Sequence, residues 1–206
     1  MSNEYTISDE SELTEVLGEA PEFVQQKVTS QLDEAMIEFV RRSPLIFYST
    51  IDERGQADVS PKGDAPGFVQ VEDGQLLIPD RPGNRLAFGF RNLLRNPQIG
   101  LIFVVPNMRE TLRVKGRAEI TRDPACLEAL SAQGKPALLC TRVSIDECFF
   151  HCGKAMIRSS LWQPEAWAEQ KESLMIRQFA RKMGGDDQLE SIIEAEIEKN
   201  YQEELY

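Results

Sequence analysis

The sequence predicts a mainly β fold, an antiparallel barrel with helices at both ends. Three observations predict it. Short apolar or alternating runs follow one another between residues 45 and 145. Turn residues separate most of them, with few helices between. Long helical spacing is confined to the residues before 44 and after 163. At 206 residues the chain is long enough to bury roughly 70% of its unfolded surface, so it needs no disulfide or metal staple.

The elements follow in order. Residues 9–17 form a short helix that ends at Gly18, and residues 21–28 start another with proline in the first turn. Ser30 caps a third, in which Leu32, Ala35, Met36, Phe39 and Val40 recur at helical spacing and Pro44 marks the end. Residues 45–51 (LIFYSTI) are a strand, 52–55 a turn, and 56–60 the return strand. GFVQV and QLLIP flank Glu72-Asp73-Gly74, a hairpin signal. Residues 84–94 look helical and Asn96-Pro97 closes them. Residues 98–106 are nearly all apolar, as in a buried strand. Residues 111–121 alternate: Leu112, Val114, Gly116, Ala118 and Ile120 face one side, Arg113, Lys115, Arg117 and Glu119 the other. Asp123-Pro124 opens a short helix to 132, and 136–145 is a further strand. Residues 164–183 and 187–201 read as helices separated by Gly184-Gly185. Leu189, Ile192, Ile193 and Ile197 make a narrow apolar stripe in the last, suited to packing on the barrel or on a partner subunit. Three regions result: a helical segment at 1–43 packing on the barrel, a barrel domain at 44–163 and a helical extension at 164–206.

The chain carries −11, yet its positive charge is concentrated. Residues 81–122 hold nine basic side chains against Glu110 and Glu119, so this segment is +7 and the remainder −18. A local positive field in an acidic protein gathers a small anion and disfavours polyanions, which excludes a nucleic-acid partner. Between residues 60 and 95, Lys62, Arg81, Asn84 and Arg85 sit beside glycines and prolines in short loops between apolar strands. That composition suits a phosphate: glycine lets the backbone approach, and guanidinium groups bind its oxygens in pairs. The plainer alternative is solvated charge on strand faces. No apolar run approaches the roughly 20 residues of a membrane span. The acidic first residues lack the basic and apolar regions of a signal peptide. The expectation is a cytoplasmic protein, with no membrane partner, whose four cysteines are thiols.

Several segments together carry a resemblance: STIDERG at 49–55, Ser-Pro-Lys-Gly-Asp at 60–64, IPDRPGNR at 78–85, NLLRNPQIGLIF at 92–103, LRVKGRAEI at 112–120 and, more weakly, CFFHCGKAMIRSSLW at 148–162. In order and spacing they resemble the pyridoxamine 5′-phosphate oxidase-related proteins with the FMN-binding split-barrel fold. Within these the chain is similar to a branch of small bacterial flavoproteins marked by the S-P-K-G-D segment. The resemblance implies a six-stranded antiparallel split β-barrel. It also implies a homodimer with FMN at the subunit interface, each site drawing on both chains. Carried over by position, Ser60, Lys62 and Gly63 fall on the strand beside the flavin. Asp80, Arg81, Asn84 and Arg85 fall on the loop and helix start that hold the FMN phosphate, where helix N–H groups would favour an anion. Thr111 falls where the oxidases carry a longer glutamine that contacts the isoalloxazine. Lys154 and Arg158 lie near the stretch that meets the partner subunit's flavin.

One departure matters. The oxidases end in a Trp-Arg-Leu-x-Pro type segment that grips the vitamin phosphate, whereas this chain reads SSLWQPEAW at 159–167 and continues into acidic helices. The resemblance therefore implies a retained flavin site without the vitamin B6 substrate site.

Other candidates have simpler roles. His151, the only histidine, offers a poor zinc site between Cys148 and Cys152. It reads as a packed residue at a strand end, with a place beside the flavin edge or a haem as alternatives. Cys126 and Cys140 read as buried apolar residues, and Cys152 is reactive only if Lys154 lowers its pKa. Trp162 and Trp167 read as core or interface anchors. Asn92 and Arg95 read as capping and solvating the helix before Asn96-Pro97. The leading expectation is an FMN-dependent oxidoreductase passing electrons from a reduced donor to a small acceptor or oxygen, its small-molecule substrate unknown. The alternatives are a non-catalytic flavin carrier or sensor, and a haem-binding split-barrel protein.

Overall fold

In the computed structural model, which describes residues 5–169 and 173–206, seven strands pair into one antiparallel sheet. They are β1 (Leu45–Ile51), β2 (Ala57–Gly63), β3 (Gln70–Glu72), β4 (Gln75–Asp80), β5 (Gln98–Val104), β6 (Thr111–Thr121) and β7 (Leu139–His151). Their order is β2-β1-β5-β6-β7-β4-β3. β2 and β4 stand far apart in that order, yet Lys62 reaches Asp80, and Asp64 just past β2 reaches Arg81 just past β4. The sheet therefore curls until its β2 edge returns to β4, and the fold is a split barrel. The expected six strands are corrected to seven, the end position being held by the three-residue β3. Asp73 and Gly74 adopt φ of 50° and 76°, the left-handed pair that a tight two-residue hairpin needs, and so fold β3 onto β4.

The barrel is filled from β1, β4, β5, β6 and β7. Ile46, Tyr48, Leu76, Ile78, Phe103, Leu112, Val114 and Val143 are each at most 1% exposed. Each large side chain so buried stabilises by about 1.5–3 kcal/mol. β6 shows why alternation reads as a strand: Leu112, Val114, Gly116 and Ala118 are buried while Lys115, Arg117 and Glu119 are exposed. Gly116 sits at a bulge against β7, and a Cβ there would collide with the Ser144 carbonyl oxygen.

α1 (Glu10–Leu17) and α2 (Glu22–Gln25) bury no residue. The segment that follows is pinned at Thr29, which exchanges two backbone hydrogen bonds with Cys148. α3 (Glu34–Arg42) closes one end of the core with Met36, Phe39 and Val40, and Phe39 meets Phe150 edge-on at 5.4 Å. Its cap is Asp33, which accepts from the Met36 N–H at 2.8 Å, and not the expected Ser30. α4 (Phe88–Leu93) is also shorter than expected, because Arg85 and Ala87 take left-handed φ of 58° and 55°. α5 (Pro124–Ala129) follows its Asp-Pro start.

Past β7 come α6 (Lys154–Arg158), α7 (Leu174–Lys182) and α8 (Asp187–Glu203). The single helix expected over 164–183 is divided. Pro164–Ala166 forms a 3-10 turn, residues 170–172 lie outside the described residues, and Ser173 caps α7 as a new start. α7 and α8 pack on each other, with Ile176 and Ala180 buried. Leu189, Ile193 and Ile197 are half-buried, but Ile192 is 57% exposed. Among the described residues no helix is long and apolar enough to cross a membrane.

Candidate functional site

β2 positions the site by its pleat. Asp58, Ser60 and Lys62 are half-buried, whereas Val59, Pro61 and Gly63 are exposed. Register sets Asp58 opposite Thr50, Ser60 opposite Tyr48 and Lys62 opposite Ile46, so these residues share the inner face. The Lys62 ammonium lies 2.7 Å from Asp80 Oδ1, 4.7 Å from the Phe90 ring centroid and 5.2 Å from that of Tyr48. A carboxylate and two ring faces fix one cation there. Its side chain is 17% exposed, so the charge is partly shielded from water but not lost in the core.

α4 supplies the other wall. A Cβ at Gly89 would stand 3.0 Å from Tyr48 Cε1, so glycine allows the helix to approach the phenol ring. Asn92 Nδ2 donates to Thr50 Oγ1 at 3.0 Å, tying α4 to β1. Asn92 is thus a cross-link, beyond the helix-capping role expected of it. The Tyr48 hydroxyl is buried, with the Thr141 side chain beside it as a poorly aligned hydrogen-bonding neighbour. Burial, with Asp80 and Asp58 adding to it and Thr141 opposing, pushes its pKa upward. The phenol therefore stays protonated inside the core.

A second pair extends the rim. Arg81 Nε donates to Asp64 Oδ2 at 2.8 Å, with side-chain exposures of 15% and 4%. Asp64 Oδ1 accepts from the Ala65 N–H at 2.7 Å and from the Tyr206 hydroxyl at 2.6 Å. Burial pushes the Asp64 pKa up, but the hydrogen bonds from Tyr206, Arg81 and Ala65 outweigh it and hold the carboxyl below its ordinary value. Tyr206 is raised in turn, first by its bond to Asp64.

The site residues expected from the sequence thus fall into three groups. Ser60, Lys62, Asp80 and Arg81 are brought onto one rim, with Gly63 at its edge, where a Cβ would press to 3.2 Å on the Pro44 carbonyl oxygen. Asn84 and Arg85 lie in the loop ahead of α4 and not at a helix start. Asn84 Oδ1 accepts from the Leu86 N–H at 3.0 Å, and Arg85 is exposed with no partner among the described residues. Thr111, Lys154 and Arg158 are elsewhere. Thr111 is buried at the start of β6, paired with His151, and the two cations are exposed on α6. No hydrogen bond or ion pair among the described residues joins these three to the rim.

The +7 segment is not one site. Arg113, Lys115 and Arg117 point to the outer face of β6, where Lys115 pairs with Glu147 at 2.7 Å and Arg113 lies over the Phe149 ring at 5.4 Å. Among the described residues no three His, Cys, Asp or Glu side chains converge as metal ligands. His151 Nδ1 lies 3.3 Å from the Cys152 carbonyl oxygen, Cys126, Cys140 and Cys148 are buried thiols, and Cys152 is exposed. Trp162 Nε1 donates to the Met108 carbonyl at 2.8 Å and Trp167 Nε1 to that of Leu161 at 2.9 Å. Sequence reasoning missed Tyr48, Asp64, Phe90 and Tyr206. Asp64 ends the Ser-Pro-Lys-Gly-Asp segment and was the one with a signal.

A family model described as pyridoxamine 5′-phosphate oxidase matches residues 32–152, more than half of the chain. No curated protein matches it significantly. Among solved structures, HupZ from Group A Streptococcus aligns with TM-score 0.47 and 17% identity over 58% of this chain and 93% of its own. A candidate pyridoxamine 5′-phosphate oxidase from Lactobacillus delbrueckii aligns with TM-score 0.47 and 21% identity over 59% and 95%. An F420 reductase aligns with TM-score 0.44 and 17% identity over 57% and 98%. Likenesses of this size carry no functional weight.

Proposed function

The chain belongs to the pyridoxamine 5′-phosphate oxidase family, and from that premise we propose that it is an FMN-binding oxidoreductase. It passes electrons from a reduced donor to a small acceptor or to oxygen. The observation that carries this reading is the convergence of Lys62 and Arg81, within the family-matched segment, on one rim, with the unpartnered Arg85 in the loop that follows Arg81.

The residues fit the cofactor. Arg85 and the terminal amino groups of Arg81 suit phosphate oxygens. Ser60 and Lys62 offer donors toward a flat polar ring. Asp80 does not touch a phosphate in this account, since two anions would repel; it holds Lys62 in place. FMN, when bound, supplies the hydride and electron chemistry. The protein's part is a positive charge already fixed by Asp80, Tyr48 and Phe90, which need not reorganise as charge develops nearby.

Thr111, Lys154 and Arg158 are proposed to contact the flavin held by a second copy, a role carried over from the family by position. An apolar outer face suits such a copy. Phe47 lies opposite both Pro61 and Ile102 in register, and Phe47, Val59 and Ile102 are 39%, 60% and 38% exposed. A stable dimer needs about 800 Å² buried on each partner, which requires such a contiguous face. Vitamin B6 oxidation is not proposed: the residues at 159–167 lack the oxidases' phosphate grip, and Trp162 is committed to the Met108 carbonyl.

The test is to purify the protein with FMN and record its spectrum during anaerobic addition of NADH or NADPH, then admit oxygen. Bound flavin that bleaches and recovers is expected. A colourless protein that takes up no added FMN would end the reading. Bound flavin that no donor reduces would leave a carrier rather than an enzyme.

A further inference from the structure

We propose that Tyr206, outside the family-matched residues, is a positioning residue that keeps Arg81 available to the phosphate of the flavin. The inference rests on the reading that Arg81 belongs to the FMN-phosphate loop.

An Arg–carboxylate pair has a preferred geometry. Left alone, a guanidinium and a carboxylate form a two-pronged fork in which both oxygens take N–H groups. Here Asp64 cannot do so. Its Oδ1 is already occupied by the Ala65 N–H at 2.7 Å and the Tyr206 hydroxyl at 2.6 Å. Only Oδ2 meets Arg81, and it meets Nε at 2.8 Å. Arg81 is thereby oriented by one bond while its two terminal amino groups are kept from the fork. These are the donors that a phosphate needs.

Tyr206 is itself held at two points. Its hydroxyl lies on Asp64, and its backbone oxygen accepts from Lys135 Nζ at 2.6 Å. Lys135 closes a tight turn in which Gln133 and Gly134 have φ of 52° and 73°, bridged to Ala132. Between these groups is a cavity of about 140 Å³, lined by Arg81, Pro82, Lys135, Pro136, Leu138 and Tyr206. That is below the roughly 300–1,000 Å³ of a site for a whole drug-sized ligand. Two cationic side chains line it, and Tyr206 forms its wall. Ligand binding and docking of the segment after α8 are then coupled, and the coupling is reciprocal.

The experiment compares FMN with riboflavin, which has the same ring but no phosphate, on the full chain. Tyr206→Phe keeps the ring and removes only the hydroxyl. Its FMN affinity should fall about tenfold, the effect of one charge-assisted contact, while riboflavin affinity stays unchanged. Equal losses for both flavins, or no loss for either, overturn the inference, because Tyr206 would then be structural or idle. If the wild type binds neither flavin, the FMN reading itself fails. The inference is then decided by NMR of the Arg81 Nε–H and Ala65 amide during titration with inorganic phosphate. Shifts in the wild type that vanish in Tyr206→Phe uphold a phosphate subsite buttressed by Tyr206. Identical responses in the two proteins overturn it.

Discussion

Two regions of this barrel carry the same residue types with opposite consequences. On the outer face of β6 and β7, Lys115 pairs with Glu147 and Glu119 with Arg142. These partners stand directly opposite each other in neighbouring strands, and three of the four are between 46% and 67% exposed. On the inner rim, Lys62–Asp80 and Arg81–Asp64 join strands separated by four others in the sheet order, and no side chain is more than 22% exposed. The outer pairs follow from strand pairing and add little to it. The inner pairs form only when the sheet curls, and then they hold charge in fixed places at the edge of the core. The proposed site uses the second kind, because a fixed, half-shielded charge acts on a ligand more strongly than a mobile, hydrated one.

Substitutions can break this contrast. The largest effect is expected at Asp64, whose loss strands the 15%-exposed Arg81. Asp64→Ala should cost about 3 kcal/mol in urea unfolding. A cost near that of an exposed pair would mean that the rim is as solvated as the outer face. Lys62→Met, which keeps the volume between Phe90 and Tyr48 but leaves Asp80 unpaired, should cost about 1–2 kcal/mol. The matching change Lys115→Met should cost less, about 0.5 kcal/mol or under. Similar values for the two lysines would erase the distinction.

Acid should separate the regions as well. The folded pKa of Asp64 is held below its ordinary value, so its contribution to stability is present above about pH 4 and is lost as pH falls through the folded pKa. Asp64→Asn should flatten that part of the stability profile, whereas Glu147→Gln should leave it as in the wild type. Parallel acid profiles for wild type and Asp64→Asn would remove Asp64 from the account. The smallest effect is expected for Glu147→Ala, within about 0.5 kcal/mol at neutral pH.

What was legible in the sequence follows the same divide. Local pattern predicted local structure: the alternation of 111–121 coincides with β6, and Asp73-Gly74 turns where a hairpin was expected. Interactions between distant residues were not legible. Tyr48 reads as one more apolar residue of β1, and nothing in its neighbours says that Lys62 would lie over its ring. Asp64 was visible as part of a segment, but its partner Arg81 depends on how far the sheet curls. Tyr206 has no local signal at all. The helix expected from residue 84 failed for a further reason. Two residues in left-handed backbone, Arg85 and Ala87, are of types that usually extend a helix.

The central claim is that placed charge on the rim, and not net positive charge in the sequence, makes the binding site. The most direct measurement is an equilibrium FMN titration of the wild type, Arg85→Ala and Arg117→Ala. Both substitutions remove one exposed arginine from the same basic segment, one in the loop between Arg81 and α4 and one on the outer face of β6. The account predicts that Arg85→Ala weakens FMN about tenfold or more while Arg117→Ala binds as the wild type does. Equal weakening by both would mean that the segment attracts FMN only through its overall field, and the rim would lose its claim to be the site.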